Sequence, residues 1–217
     1  MKNPEPEYNE IFSEEEKEIL QEIMNIAFGN ATAGLAGVID IYVILSVPKI
    51  QVIRIGNLQE YLKKELNASG KTSIVDQRFW GDFNGSGFLV FPTGSGEDLI
   101  SLLEGKSIGS YHPKSKDLLE RETLIEIGNI LIGACVGKIS ELLNTFVTYS
   151  PPRVITEIDY ECNHLIDQFD PSQTAIVMKT IFKFKQKDIN GFLLILTNQE
   201  SIGWLRKSLN EFMDSYE

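Results

Sequence analysis

The stretch Glu18–Gly34, EILQEIMNIAFGNATAG, is answered 104 positions later by Glu122–Gly137, ETLIEIGNILIGACVG. The offset lays Glu18 on Glu122, Leu20 on Leu124, Glu22 on Glu126, Ile23 on Ile127, Asn25 on Asn129, Ile26 on Ile130 and Gly29 on Gly133. A shared core accounts for the apolar matches. It does not account for the matched Glu and Asn, because Asn costs a helix interior roughly half a kcal/mol against Ala.

Working outward, the same order of elements occurs twice. Ser13 with Glu16 is a capping box that opens a helix from Glu14 to about Gly37, with Ile19, Ile23, Ile26 and Ala27 as its apolar stripe. A β stretch, IYVILSVPKIQVIRI, follows, interrupted by Pro48, which fits an edge, a bend or a bulge. A short helix at NLQEYLKKELN, two strands (TSIVDQRFWGDF and GFLVFP) joined by a turn at NGSG, and a helix at GEDLISLLEG complete the first half. The second half has a long helix starting near Asp117, with Glu120 in capping-box register. It continues with a β stretch broken at Pro151 and Pro152, a hairpin turning at DING, and a final helix, ESIGWLRKSLNEFM. The offset of 104 also carries Pro48 to Pro152, Lys49 to Arg153, Gly87 to Gly191, Phe88 to Phe192 and Leu89 to Leu193.

The expected fold is therefore α/β: two pseudo-symmetric halves from a tandem repeat, residues 1–110 and 111–217, packed as one globular unit. A β-sheet layer would carry two long, exposed helices, each bearing the repeated motif. The loop-like Gly105–Asp117, GKSIGSYHPKSKD, marks the join.

With 20 basic against 31 acidic residues, a net charge of −11 argues against nucleic acid or an anionic membrane surface as a main partner. Cys135 and Cys162 form no CxxC and fit a reducing compartment, and the acidic N-terminus has no signal-peptide form. Ile26–Val47 lacks Lys and Arg, but its Asn30 and Asp40 fit a buried helix feeding a strand better than a membrane span. These readings place the protein in the cytoplasm.

The motif reads Glu, two residues, Asn, 22 residues, Pro: Glu22, Asn25 and Pro48, then Glu126, Asn129 and Pro152. Positions i and i+3 share a helix face, so each carboxylate stands beside a carboxamide. Glu-x-x-Asn alone is unspecific, and a third instance, Glu141 and Asn144, has no proline at that distance. Two copies in matched places, each with its proline, are more informative.

With these residues the chain resembles the CheC-type phosphatases of bacterial chemotaxis (the CheC, CheX and FliY family). Their signature is Asp or Ser, three residues, Glu, two residues, Asn, 22 residues and Pro. Glu18 and Glu122 depart from it at the first position. Two motifs in one chain look most like the CheC type; a FliY type would carry a further C-terminal domain, which is not expected here. The resemblance implies hydrolysis of the aspartyl phosphate of a CheY-like response regulator, with Asn25 and Asn129 orienting a water and Glu22 and Glu126 pairing with a lysine of the regulator. It implies no cofactor of the protein's own, Mg²⁺ in the regulator, and a CheD-type deamidase as a possible second partner. A non-catalytic adaptor for a phosphorylated regulator or such a deamidase, and a component of a flagellar switch, are the alternatives.

Other groupings are weaker. Cys162, His164, Asp167 and Asp170 match no standard zinc spacing, and His112 lies in the linker. GNATAGLAG lacks a phosphate-loop lysine, and its small residues, with Gly133, Ala134 and Gly137, are expected to permit close helix packing. Gly128, opposite Met24, is expected to loosen the second site or admit a partner's backbone.

Overall fold

A computed structural model describes residues 12–39, 42–67, 72–92, 94–104, 116–156, 174–185 and 189–214. In chain order the elements are α1 (Glu14–Ile39), β1 (Val43–Leu45), β2 (Lys49–Arg54), α2 (Ile55–Asn67), β3 (Thr72–Gly81), β4 (Gly85–Pro92) and α3 (Ser95–Glu104). There follow α4 (Lys116–Leu142), β5 (Val147–Tyr149), β6 (Arg153–Thr156), β7 (Thr174–Phe184), β8 (Asn190–Thr197) and α5 (Gln199–Asp214). Cys162, His164, Asp167, Asp170, His112 and residues 105–115 of the proposed join lie outside the described residues; its last two, Lys116 and Asp117, open α4.

One antiparallel sheet of eight strands runs β1-β7-β8-β4-β3-β5, with β2 also on β7 and β6 also on β3. β1 and β2 thus form one interrupted edge against β7, and β5 and β6 another against β3. The interruptions fall at Pro48 and at Pro151–Pro152, as a residue without an N–H requires. Each interrupted edge belongs to one half of the sequence and pairs with a strand of the other. The halves do not stand side by side as separate units.

The sheet buries both faces. On one side α1, α4 and α5 cover Val75, Phe79, Leu89, Phe91, Ile176, Met178 and Phe182; on the other, Ile55, Leu58 and Leu62 of α2 cover Ile74, Phe88, Val177 and Leu194. The period-2 alternation of β3 therefore sends Val75, Gln77 and Phe79 toward the long helices. By length and composition α4 could cross a membrane, but 56% of its apolar window is buried against the sheet and α1, which makes it a core helix.

Several local expectations need correction. The buried face of α1 is Leu20, Ile23, Met24, Ala27, Phe28 and Ala31; Ile26, assigned to the stripe, is 39% exposed. Sheet and partner helix together bury a wider arc than one stripe, and that arc is centred away from Ile26. α4 begins at Lys116, so Asp117 lies in its first turn, and Glu120 packs its side chain over Gly96 of α3. Gly85, Asn190 and Gly191, expected in hairpin turns, are already in strands.

The Gly match also changes. At Gly85 a Cβ would strike the Leu196 carbonyl and the Phe79 ring; at Gly191 it would strike the Val90 carbonyl and the Phe182 ring. Gly191 thus answers Gly85, an offset of 106, and not Gly87, which is bare because Ile132 of α4 rests on it. Unequal hairpin loops produce the slip.

Candidate functional site

Capping starts α1 as the sequence indicated: Glu16 N–H donates to Ser13 Oγ (3.0 Å) and Ser13 N–H to Glu16 Oε2 (2.7 Å). Arg206 of α5 adds Nε–H to Glu16 Oε1 at 2.9 Å. Burial pushes the Glu16 carboxyl up, but the Ser13 amide and the Arg206 guanidinium outweigh it, and its pKa is lowered. The end of α4 is closed by Asn144 in the left-handed region (φ 51°), with Asn144 N–H donating to Glu141 O and Thr145 N–H to Ser140 O. The third Glu-x-x-Asn is therefore a helix terminus: Asn144 is its cap, and Glu141 is paired with Lys138 at 2.5 Å.

The two repeated pairs lie on the long helices, away from the core. Glu22 and Glu126 are exposed, Asn25 is half-buried and Asn129 exposed, while the flanking Ile23, Met24, Ile127 and Gly128 are buried. α1 and α4 pack against each other along the sheet. In each case an exposed carboxylate and a carboxamide sit one turn apart on a helix anchored from behind.

What stands behind the two carboxamides differs. Behind the second pair, Gln77 of β3 donates through Nε2 to Asn129 Oδ1 (2.9 Å) and to the Ser150 carbonyl (3.1 Å). Its own Oε1 is buried without a hydrogen-bond partner. Asn129 Oδ1 is thereby turned inward, leaving Nδ2 to face out as a donor. Behind the first pair the matching position holds Thr180 of β7, whose hydroxyl donates to the Ser46 carbonyl at 2.5 Å. The frames correspond: Ser150 N–H donates to Arg78 O and Arg78 N–H to Ser150 Oγ, as Ser46 N–H does to Ile181 O and Ile181 N–H to Ser46 Oγ. Among the described residues nothing hydrogen-bonds the Asn25 carboxamide. The nearby Gln21 instead donates to the Pro48 carbonyl at 2.6 Å, tying the proline loop to α1.

Gly128 explains how Gln77 reaches Asn129. A Cβ there would lie 2.5 Å from Val75 Cγ1 and 2.8 Å from Val75 Cβ, so the glycine lets α4 settle onto β3. This corrects the expectation that Gly128 serves a partner or loosens the site: it faces the sheet. The reverse holds for Gly29 and Gly133, expected to pack but with nothing within 4 Å of an added Cβ. They stand one turn beyond Asn25 and Asn129. Below them, the Tyr149 hydroxyl donates to Gly133 O at 3.3 Å, and burial pushes this phenol up to about 12, keeping it a donor. Burial likewise pushes the Cys135 thiol up, which removes it as a nucleophile.

Neither Gln21 nor Gln77 was singled out in the sequence. The available signal was Gln77 itself, a polar residue between Val75 and Phe79 on the inward phase of a strand, where it requires a partner.

No protein-family model matches the chain. It is 24% identical over 192 residues to the CheY-P phosphatase CheC of Bacillus subtilis, covering 87% of this chain and 90% of that one. Among solved structures, FliY of Thermotoga maritima superposes with a TM-score of 0.70 at 19% identity over 93% of this chain and 98% of that one. The FliM middle domain of H. pylori gives 0.58 at 11% identity (91% and 99% covered). CheX of Desulfovibrio desulfuricans gives 0.51 at 16% (82% and 99%). The chain is a homologue of CheC and has the fold shared by the CheC, CheX and FliY proteins.

Proposed function

We propose that this protein is a cytoplasmic phosphatase acting on the aspartyl phosphate of a CheY-like response regulator, with Glu22, Asn25, Glu126 and Asn129 as its working residues. The observation that carries the reading is the placement of two Glu/Asn pairs at matched, outward positions on α1 and α4, together with similarity to a CheY-P phosphatase over most of the chain.

The chemistry asks little of such a site. An acyl phosphate is already activated, so the main requirement is a water held in line with the scissile P–O bond. A carboxamide can hold that water without acting as a strong base. The water oxygen forms the new P–O bond, the regulator's aspartate leaves as carboxylate, and the water's proton passes to phosphate or solvent. Mg²⁺ would be the regulator's own. Glu22 and Glu126 would pair with a cation on the regulator and fix its approach. Beside each pair, the open surface over Gly29 and Gly133 leaves room for a partner's backbone.

The two halves fit a tandem duplication. Exchanging α1–β1–β2–β3–β4 for α4–β5–β6–β7–β8 reproduces the strand order in reverse. A second reading, a non-catalytic docking module for a phosphorylated regulator or a CheD-type deamidase, draws on the likeness to FliM of H. pylori, which has been solved in complex with SpeE and with FliG.

Decay of a phosphorylated CheY-type regulator in Mg²⁺ distinguishes them. The native protein should accelerate decay, and Asn25→Ala/Asn129→Ala should abolish acceleration while remaining folded. A double variant as active as the native protein would refute the residue assignment. Binding without acceleration by the native protein would favour the docking module.

A further inference from the structure

We infer that Gln77 is a positioning residue for the second site alone, so that the two Glu/Asn pairs are unequal and the Asn129 site turns over faster than the Asn25 site. The inference rests on the phosphatase reading above and adds a residue to it.

Gln77 is almost fully buried and its Nε2 serves two acceptors. Ser150 O can only accept, so the amide of Gln77 cannot flip without losing that bond, and this fixes which end meets Asn129. The Asn129 carboxamide is therefore held in one orientation before any partner arrives: Oδ1 inward, Nδ2 outward. A free Asn side chain must lose rotamer freedom when it orders a water, and one already held loses less.

The first half makes the comparison internally. Ser46 and Ser150 form the same backbone exchange with β7 and β3, so the frames are alike to within one residue's chemistry. Thr180 commits its hydroxyl to Ser46, donating to Ser46 O with Ser46 Oγ 3.4 Å from the same hydroxyl oxygen. Its single O–H is used there and leaves no donor for Asn25, and Met24, fully buried, occupies the place that Gly128 leaves bare on α4. Two coupled substitutions, Gly for Met on the helix and Gln for Thr on the strand, separate a held carboxamide from an unheld one.

The test uses the full chain with phosphorylated CheY-type regulator and Mg²⁺, one site silenced at a time. Asn25→Ala, leaving the second site, should retain a higher kcat than Asn129→Ala, leaving the first. In the Asn25→Ala background, Gln77→Thr keeps a hydroxyl for Ser150 O but cannot reach Asn129. It should lower kcat about three- to tenfold, the range of one hydrogen bond lost from the transition state, with KM unchanged. Gln77→Met, matched in volume and without a donor, should give the same split, which guards against a packing artefact of the smaller Thr; urea midpoints report whether each variant is folded. Unchanged kcat in both folded variants, or a rise in KM with kcat intact, would overturn the inference while leaving the phosphatase reading in place. Failure of the native protein to accelerate decay would instead remove the reading and the inference with it.

Discussion

Two glycines five residues apart on α4 should respond to the same substitution in opposite directions. Replacing a helix-interior Gly by Ala contributes up to about 1 kcal/mol through backbone entropy. At Gly133 nothing lies within 4 Å of the new methyl, so that gain should appear almost undiminished. At Gly128 the methyl would sit 2.5 Å from Val75 Cγ1 and 2.8 Å from Val75 Cβ. The Cγ1 contact could be relieved by rotation, but the Cβ is fixed to the β3 backbone, so helix or strand must move. Overpacking of this kind costs about 1–3 kcal/mol, and subtracting the propensity gain leaves a net loss of roughly 0–2 kcal/mol. The two variants should therefore differ by about 1–3 kcal/mol, or roughly 0.5–1 M in urea midpoint for a chain of this size. Adding Val75→Ala to Gly128→Ala should recover part of the loss, a coupling expected only for residues in contact. If Gly128→Ala stabilises as much as Gly133→Ala, α4 does not rest on β3 at Val75, and the account of how Gln77 reaches Asn129 fails with it.

Two further outcomes follow from the helix ends. Because the Glu16 carboxyl is lowered from its ordinary 4.5 in the folded chain, its contribution to stability is present above pH 4.5 and lost as pH falls through the folded value; Glu16→Gln should flatten that part of the acid-unfolding curve, and an unchanged curve would show that Ser13 and Arg206 do not hold the carboxylate. At Asn144, whose φ is 51°, Asn144→Gly should hold or slightly raise the unfolding free energy and Asn144→Ala lower it by about 1 kcal/mol, read by urea unfolding. Neither should alter the proposed phosphatase activity, and a loss of turnover in Asn144→Gly would add the third Glu-x-x-Asn to the candidate working residues.

Elements whose determinants are local were legible in the sequence. The Ser13/Glu16 box, the long helix periods and the paired interruptions at Pro48 and Pro152 all express a few neighbouring residues, and they fall where the sequence placed them. Pairing between the halves was not legible, because β1 and β2 carry nothing that chooses β7 over β3. That choice is a property of the assembled sheet. For the same reason the uniform offset misassigned Gly87: a fixed shift cannot register that the β7–β8 loop is longer than the β3–β4 loop. The glycines of the long helices were misread in both directions. Sequence shows that a side chain is missing, and only the neighbouring surface shows whether something occupies the space. The candidate site divides along the same line. Glu22, Asn25, Glu126 and Asn129 could be found by repetition on the outward face of two helices. Gln77 lies 52 residues from Asn129, and the matching position in the second half holds Thr180, so no repeat could expose it. A duplicated motif identifies what the two halves share, whereas a difference between their sites must come from residues that the repeat does not preserve: here Gly128 against Met24, and Gln77 against Thr180.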